Sequence, residues 1–163
     1  MRRKLILAAA MLLPIWIVMA VDVPDVKEGL RSIKRHTIDN PGNKTSDSSS
    51  TLCRNHAYDQ HVLAESKRVK GCTTLSESFQ GNKYSLEMSC VAAGTTIVSK
   101  GVTTFDGDTA AHSESHASYT PAMAGISETT MIIDQKYLGA CPAGIQPGDM
   151  TTADGKVLHL WKQ

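Results

Sequence analysis

Aromatic side chains are scarce in this chain, 5% of its 163 residues. A platform that stacks the bases of single-stranded nucleic acid draws on more of them. A formal net charge of +1 leaves no basic footprint for a phosphate backbone either. There is no G-x-S-x-G elbow and no glycine-rich loop that could cradle a phosphate. Ser and Thr are so frequent that a Ser/His/Asp trio can be drawn almost anywhere, and so identifies nothing. Cysteine is limited to Cys53, Cys72, Cys90 and Cys141. They lie too far apart for the paired spacing of a zinc site. Thiolate catalysis requires a free thiol, and two disulfides are expected to consume all four. These absences argue against an enzyme and imply no cofactor and no nucleic-acid partner.

The first thing present is a leader. Arg2, Arg3 and Lys4 precede an apolar run from Leu5 to Val18, and Val18 and Ala20 are small residues ahead of Asp22. Charge, then an apolar segment, then small residues is the order that export machinery reads. Cleavage after Ala20 is expected, leaving residues 21–163 as one exported domain of roughly 140 residues. As an uncleaved anchor, Leu5–Val21 sits at the lower limit for spanning a bilayer. Pro14 interrupts it and no basic cluster follows. No stable membrane span is expected after cleavage. No cysteine lies near the cleavage point, as a lipoprotein would need. An even number of cysteines in an exported chain implies two bridges, and the expected location is periplasmic or secreted.

Beyond the leader the pattern is mostly of period two. Lys27–Ile38 reads as a first strand, marked by Leu30 and Ile33, and Asn40–Thr51, with Pro41, Gly42 and three serines, as a loop. Residues 55–66 read as one short helix capped by Asn55, with Tyr58, His61, Val62 and Glu65 on one face. Tyr84, Leu86, Met88 and Cys90 then alternate with Lys83, Ser85, Glu87 and Ser89. Gly81 and Asn82 turn this strand back on Cys72–Phe79. Thr95–Phe105 and Asp108–Tyr119 form a second hairpin about Asp106 and Gly107. Ser127–Leu138 places Met131 and Ile133 on one face and Ile132 and Leu138 on the other, a pattern expected of a strand covered on both sides. Val157–Trp161 closes the chain, after a turn-rich stretch, as a further short strand. The expected fold is mainly β: an antiparallel up-and-down meander of about six strands with one short helix, a curled sheet or small barrel stapled by disulfides.

In such a meander the start of the second strand and the end of the third lie at one edge, and Cys72 and Cys90 occupy those places. Cys141 lies at the other edge. The expected pairs are Cys72–Cys90 and Cys53–Cys141, the longer loop contributing about 4–5 kcal/mol in the chain-entropy account. A strict two-residue turn at Gly81–Asn82 sets Thr73, not Cys72, opposite Cys90. A one-residue bulge or a three-residue loop restores the match.

The segments "VKEGLRSI", the Cys53 region, C-x17-C from Cys72 to Cys90, "TTFDGD" and "YLGACPAG" occur in an order and spacing that resembles the exported proteobacterial family called domain of unknown function 3617. The resemblance covers nearly the whole mature chain. It departs from the family pattern at Arg31, where a Trp is typical, and at Arg54 and Asn55, where Thr-Pro often follows the first cysteine. It implies an envelope location in a Gram-negative bacterium and a shared disulfide pattern, and it implies no activity.

The sharpest local feature is "HSESH". On a strand His112, Glu114 and His116 share one face, and two imidazoles with a carboxylate are a ligand set for zinc or copper. Residues two apart on a strand stand about 6.5–7 Å apart, which works against all three meeting one ion. The plainer reading is a polar outer face, with the small Ser113, Ser115 and Ala117 toward a lightly packed or covered side. His56 and His61 read as exposed, and Asp106 and Asp108 as turn residues, since the full calcium-loop pattern is absent. The expected function is a non-enzymatic structural, interaction or small-ligand-binding β domain, facing an envelope partner or a small apolar ligand. The alternative is a metal-binding or metal-dependent protein using His112, Glu114 and His116.

Overall fold

Among the described residues ten elements follow one another, and nine of them are strands. The computed structural model describes residues 25–161. In chain order it contains β1 (Gly29–Asn40), β2 (Lys44–Arg54), α1 (His56–Ser66), β3 (Cys72–Gln80), β4 (Lys83–Ala92), β5 (Thr95–Asp106), β6 (Ala110–Met123), β7 (Ile126–Gly139), β8 (Asp149–Thr152) and β9 (Val157–His159). They form a single sheet in the order β3-β4-β5-β6-β7-β1-β2-β8-β9, antiparallel throughout. The stretch β3 to β7 is an up-and-down meander, and β1 joins its far side. The sheet stays open, with β3 and β9 as its edges. The mainly β, antiparallel, one-helix architecture is the expected one. The leader expected at residues 1–20 lies outside the described residues.

The number of strands corrects the expectation of about six. The segment Asn40–Thr51, expected to be a loop, is mostly strand: β2 pairs with β1 from Gly29↔Arg54 to Asp39↔Lys44 without interruption. Its serines lack an apolar period because most of the strand is exposed and only Leu52 and Cys53 are buried. Ladder hydrogen bonds to β1, rather than side-chain burial, hold it extended. The short strand β8 also lies in what reads as turn-rich sequence. It pairs with β2 through Ser50↔Thr152, Thr51↔Thr151 and Leu52↔Met150.

The two disulfides of the described residues join Cys53 to Cys141 and Cys72 to Cys90. Phe79 stands opposite Tyr84 and Cys72 opposite Cys90, and the ladder steps between Thr74 and Ser76. Leu75 is therefore the extra residue of a bulge, and its side chain is exposed. A second irregularity lies where Leu30 faces Gly139 and Arg31 faces Tyr137. It leaves Leu138 out of the ladder and 53% exposed, so this residue is not covered as its strand pattern suggested. Ile132, on the same side of β7, is half-buried.

The densest packing sits where β1, β2 and the C-terminal segment meet. Cys53 is fully buried, Leu52 and Tyr58 nearly so, and the Tyr58 ring lies 5.9 Å from that of Trp161. A Cβ on Gly148 would come within 2.8 Å of Trp161 Cβ, so only glycine fits the approach of these segments. Arg31 is the largest fully buried side chain, at 1% exposure. Its guanidinium donates to the carbonyls of Lys27, Asp108 and Thr109, bracing the start of β1 against the β5–β6 turn. Asn55 caps α1 by accepting the Tyr58 N–H at 2.9 Å.

The bulge yields a direct test of register. Leu75→Asp is expected to leave the melting temperature and the Cys72–Cys90 bridge unchanged, because Leu75 is unpaired and exposed, and a thermal melt with peptide mapping without reduction checks both. Free thiols or an exchanged partner in that variant would contradict the assignment.

Candidate functional site

Strand alternation gives the sheet two different faces. Residues opposite one another across strands point the same way, so the registers define each face. One face carries Leu86, Gly101, Ser115, Met131 and Thr37 in a single cross-strand row. A neighbouring row holds Tyr84, Thr103, Ser113, Ile133 and Arg35. On β6 the residues of this face, Ser113, Ser115 and Ala117, are half-buried, while His112, Glu114 and His116 on the other face are exposed. The half-buried side is the inner face.

The inner face is trough-like. Tyr84, Leu86 and Met88 on β4 form one wall, and Met131 and Ile133 on β7 form the other. Between them, in these three rows, β5 and β6 present small side chains, Ser99, Gly101, Thr103, Ser113, Ser115 and Ala117, while Ile97, Phe105 and Tyr119 stand on the same face beyond them. The sheet also bends toward this side. A Cβ on Gly101 would lie 3.3 Å from that of Ser115, against the ~4.5–5.5 Å of an ordinary cross-strand pair. The Phe79 and Phe105 rings, on strands two apart, meet edge to face with centroids 6.2 Å from each other. None of Tyr84, Leu86, Met88, Ile97, Met131 or Ile133 is fully buried.

Charges border the trough. Glu77 accepts the Tyr84 hydroxyl at 2.9 Å and faces Lys67 Nζ at 3.2 Å. Burial first, and then this bond to Glu77, pushes the Tyr84 phenol well above its ordinary range. Arg54 is held by Asp59 at 2.7 Å and by Gln135 at 3.0 Å. Burial lowers the Arg31 pKa, and the Nε of Arg31 has no hydrogen-bond partner among the described residues. Arg35, opposite Ile133 and Ser48, is exposed. It lines, with Ile33 and Ser48, an open cleft of about 780 Å³ that outer-face residues also line, among them Lys34, His36, Asp47, Ile132 and Asp134. None of these roles is visible in the linear sequence, because each depends on cross-strand register.

The "HSESH" residues lie on the outer face. His112 Nδ1 meets Asp134 Oδ1 at 2.7 Å and its Nε2 meets Glu114 Oε1 at 3.1 Å, so both ring nitrogens face carboxylates. His116 Nδ1 lies 3.3 Å from Thr130 Oγ1, and four residues along a strand separate it from His112 by about 13 Å. Among the described residues no three His, Cys, Asp or Glu side chains converge in a group that could hold a metal. The missed partner is Asp134, supplied by β7. His56 pairs with Asp25 at 2.7 Å and is exposed, and His61 stacks on Trp161 with centroids 5.5 Å apart.

The His112 clamp has a pH signature. Hydrogen bonds to Asp134 and then to Glu114 raise its pKa above 6.5. A raised folded-state value stabilises the fold fully below the ordinary imidazole pKa, and that contribution is lost as pH rises through the raised value. Melting temperature is expected to fall across that window in the wild type, and His112→Asn should remove this part of the slope. Equal slopes in the two proteins would refute the clamp.

No curated protein matches this chain. Among the described residues no helix is long and apolar enough to cross a membrane, and the two disulfides are consistent with a place outside the cytoplasm. Residues 19–141 match the family described as Protein of unknown function (DUF3617), and the chain belongs to that family.

Proposed function

We propose that the mature chain is a non-enzymatic, exported β domain that takes up a small apolar ligand on the inner face of its sheet. The observation that carries this reading is the trough between β4 and β7. Its floor of small residues leaves room, and its walls offer Leu86, Met88, Met131 and Ile133 half-exposed in an open sheet. Ligand sites in curved β sheets have this composition, apolar walls with few polar groups. Apolar surface of this extent is unfavourable in water unless something covers it. The leader pattern at residues 1–20 and the two bridges support export, and an exported domain meets envelope molecules rather than cytosolic metabolites.

One preparation tests both halves of the reading. The full chain expressed in a Gram-negative host is expected in the periplasm, with an intact mass beginning at Val21. The same material should brighten N-phenyl-1-naphthylamine saturably. Met131→Asp places a charge in the wall and should weaken the probe about tenfold or more, the equivalent of losing one buried apolar contact. A retained leader counts against export. Probe binding that is absent, or unchanged by Met131→Asp, counts against the inner-face site.

A further inference from the structure

We infer that α1 is the lid of the inner-face site, latched at its C-terminal end by Lys67 to Glu77 and opened there to admit the ligand; this rests on the inner-face reading and adds how the site is reached. The helix joins β2 to β3, strands consecutive in the chain but six places apart in the sheet. It also joins opposite ends of the sheet. Arg54 stands opposite Gly29, at the start of β1. Cys72 stands in the row of Cys90, Ile97 and Tyr119, at the end of the sheet where β1 finishes.

The path of α1 is therefore diagonal. It lies on the inner side, because both of its ends bond to inner-face side chains. In the first turn Asp59 holds Arg54 at 2.7 Å, and Arg54 also donates to Gln135 at 3.0 Å. At the other end Lys67 Nζ lies 3.2 Å from Glu77 Oε1. Gln135 shares its face with Ala111 and Ile33, and Glu77 shares its face with Leu86.

The two ends are held by different means. Near the N-terminus Tyr58 is buried against Trp161, and His61 stacks on the same indole with centroids 5.5 Å apart. Of the described residues of α1 only Tyr58 is buried. Asp59, Leu63 and Ser66, at i, i+4 and i+7, form its half-buried side. A helix packed firmly on a sheet offers an apolar stripe, and this stripe contains one apolar residue. Burial anchors the first turns, and the ion pair of an exposed Lys67 with a largely covered Glu77 holds the last.

That latch touches the site. The Glu77 oxygen that faces Lys67 also accepts the Tyr84 hydroxyl at 2.9 Å, and Tyr84 stands in the wall of the trough. A partly exposed ion pair shifts an equilibrium by only a few-fold. It slows entry and still opens without unfolding the helix.

The test is stopped-flow mixing of the exported protein with N-phenyl-1-naphthylamine, an uncharged probe. Lys67→Met removes the charge and keeps the apolar stem. It is expected to raise the association and dissociation rates together, by about threefold. The probe's Kd should stay within twofold of wild type, because the latch holds the empty and the filled site alike. Arg68→Met removes the same charge one residue on and breaks the pair with Glu65 instead; its rates should match wild type. An unchanged association rate in Lys67→Met, or equal acceleration in Arg68→Met, overturns the lid and leaves the apolar site standing. Failure of the probe itself to bind overturns the inner-face reading and this inference with it.

Discussion

Cys53 is the point on which the rest of the molecule is hung. Its side chain is fully buried and bonded to Cys141, whose Cα lies 5.6 Å away although 88 residues separate the two in sequence. That bond ties the end of β2 to the segment after β7, across the start of β1 that lies between them. The backbone carbonyl of Cys53 also accepts the N–H of Gly148 at 2.8 Å, and Gly148 in turn receives the N–H of Leu160. One residue thus joins the meander, the β1–β2 hairpin and the C-terminal segment. A sheet with so few fully buried apolar side chains has little other means of fixing its far end, which is why a covalent tie is needed there.

Away from that corner the sheet is thin. Two edges are open, and much of its apolar surface lies in one half-exposed row of side chains. This asymmetry is what the proposed ligand site rests on. The outer face of β6 and β7 satisfies itself with ion pairs such as His112 with Asp134 and Glu114. The inner face has small residues where a core would have large ones. Ser99, Gly101, Ser113 and Ser115 permit the bend and leave the walls without a partner from the described part of the chain.

Much of the fold is legible in the sequence because the responsible signals are local. The alternation of Tyr84, Leu86, Met88 and Cys90, the turns at Gly81–Asn82 and Asp106–Gly107, and the Asn55 cap each involve residues a few places apart. The need for a bulge in β3 could be read from the mismatch between the turn and the two cysteines. What escapes is information held by other strands. β2 has no apolar period of its own and is extended because β1 pairs with it. Arg31 is braced by backbone carbonyls at Asp108 and Thr109, more than seventy residues away, and a carbonyl leaves no mark in a sequence. The role of Asp134 beside His112, and of Gly101 beside Ser115, likewise exists only once the register is known. The small residues Ser113, Ser115 and Ala117 did suggest a lightly packed side, but not that it is the floor of a trough.

The two faces of β1, β4, β5 and β7 carry methyl groups that distinguish the central claim. Met88, Ile97, Met131, Ile133 and Ile33 belong to the inner face, and Ile132 and Ile38 to the outer one. The decisive measurement is a methyl NMR titration of Met- and Ile-labelled protein with an apolar ligand. The inner-face account predicts saturable shifts at Met88, Met131 and Ile133 with Ile132 and Ile38 unmoved. Shifts centred on Ile132 and Ile38, or none at the inner methyls, would contradict it.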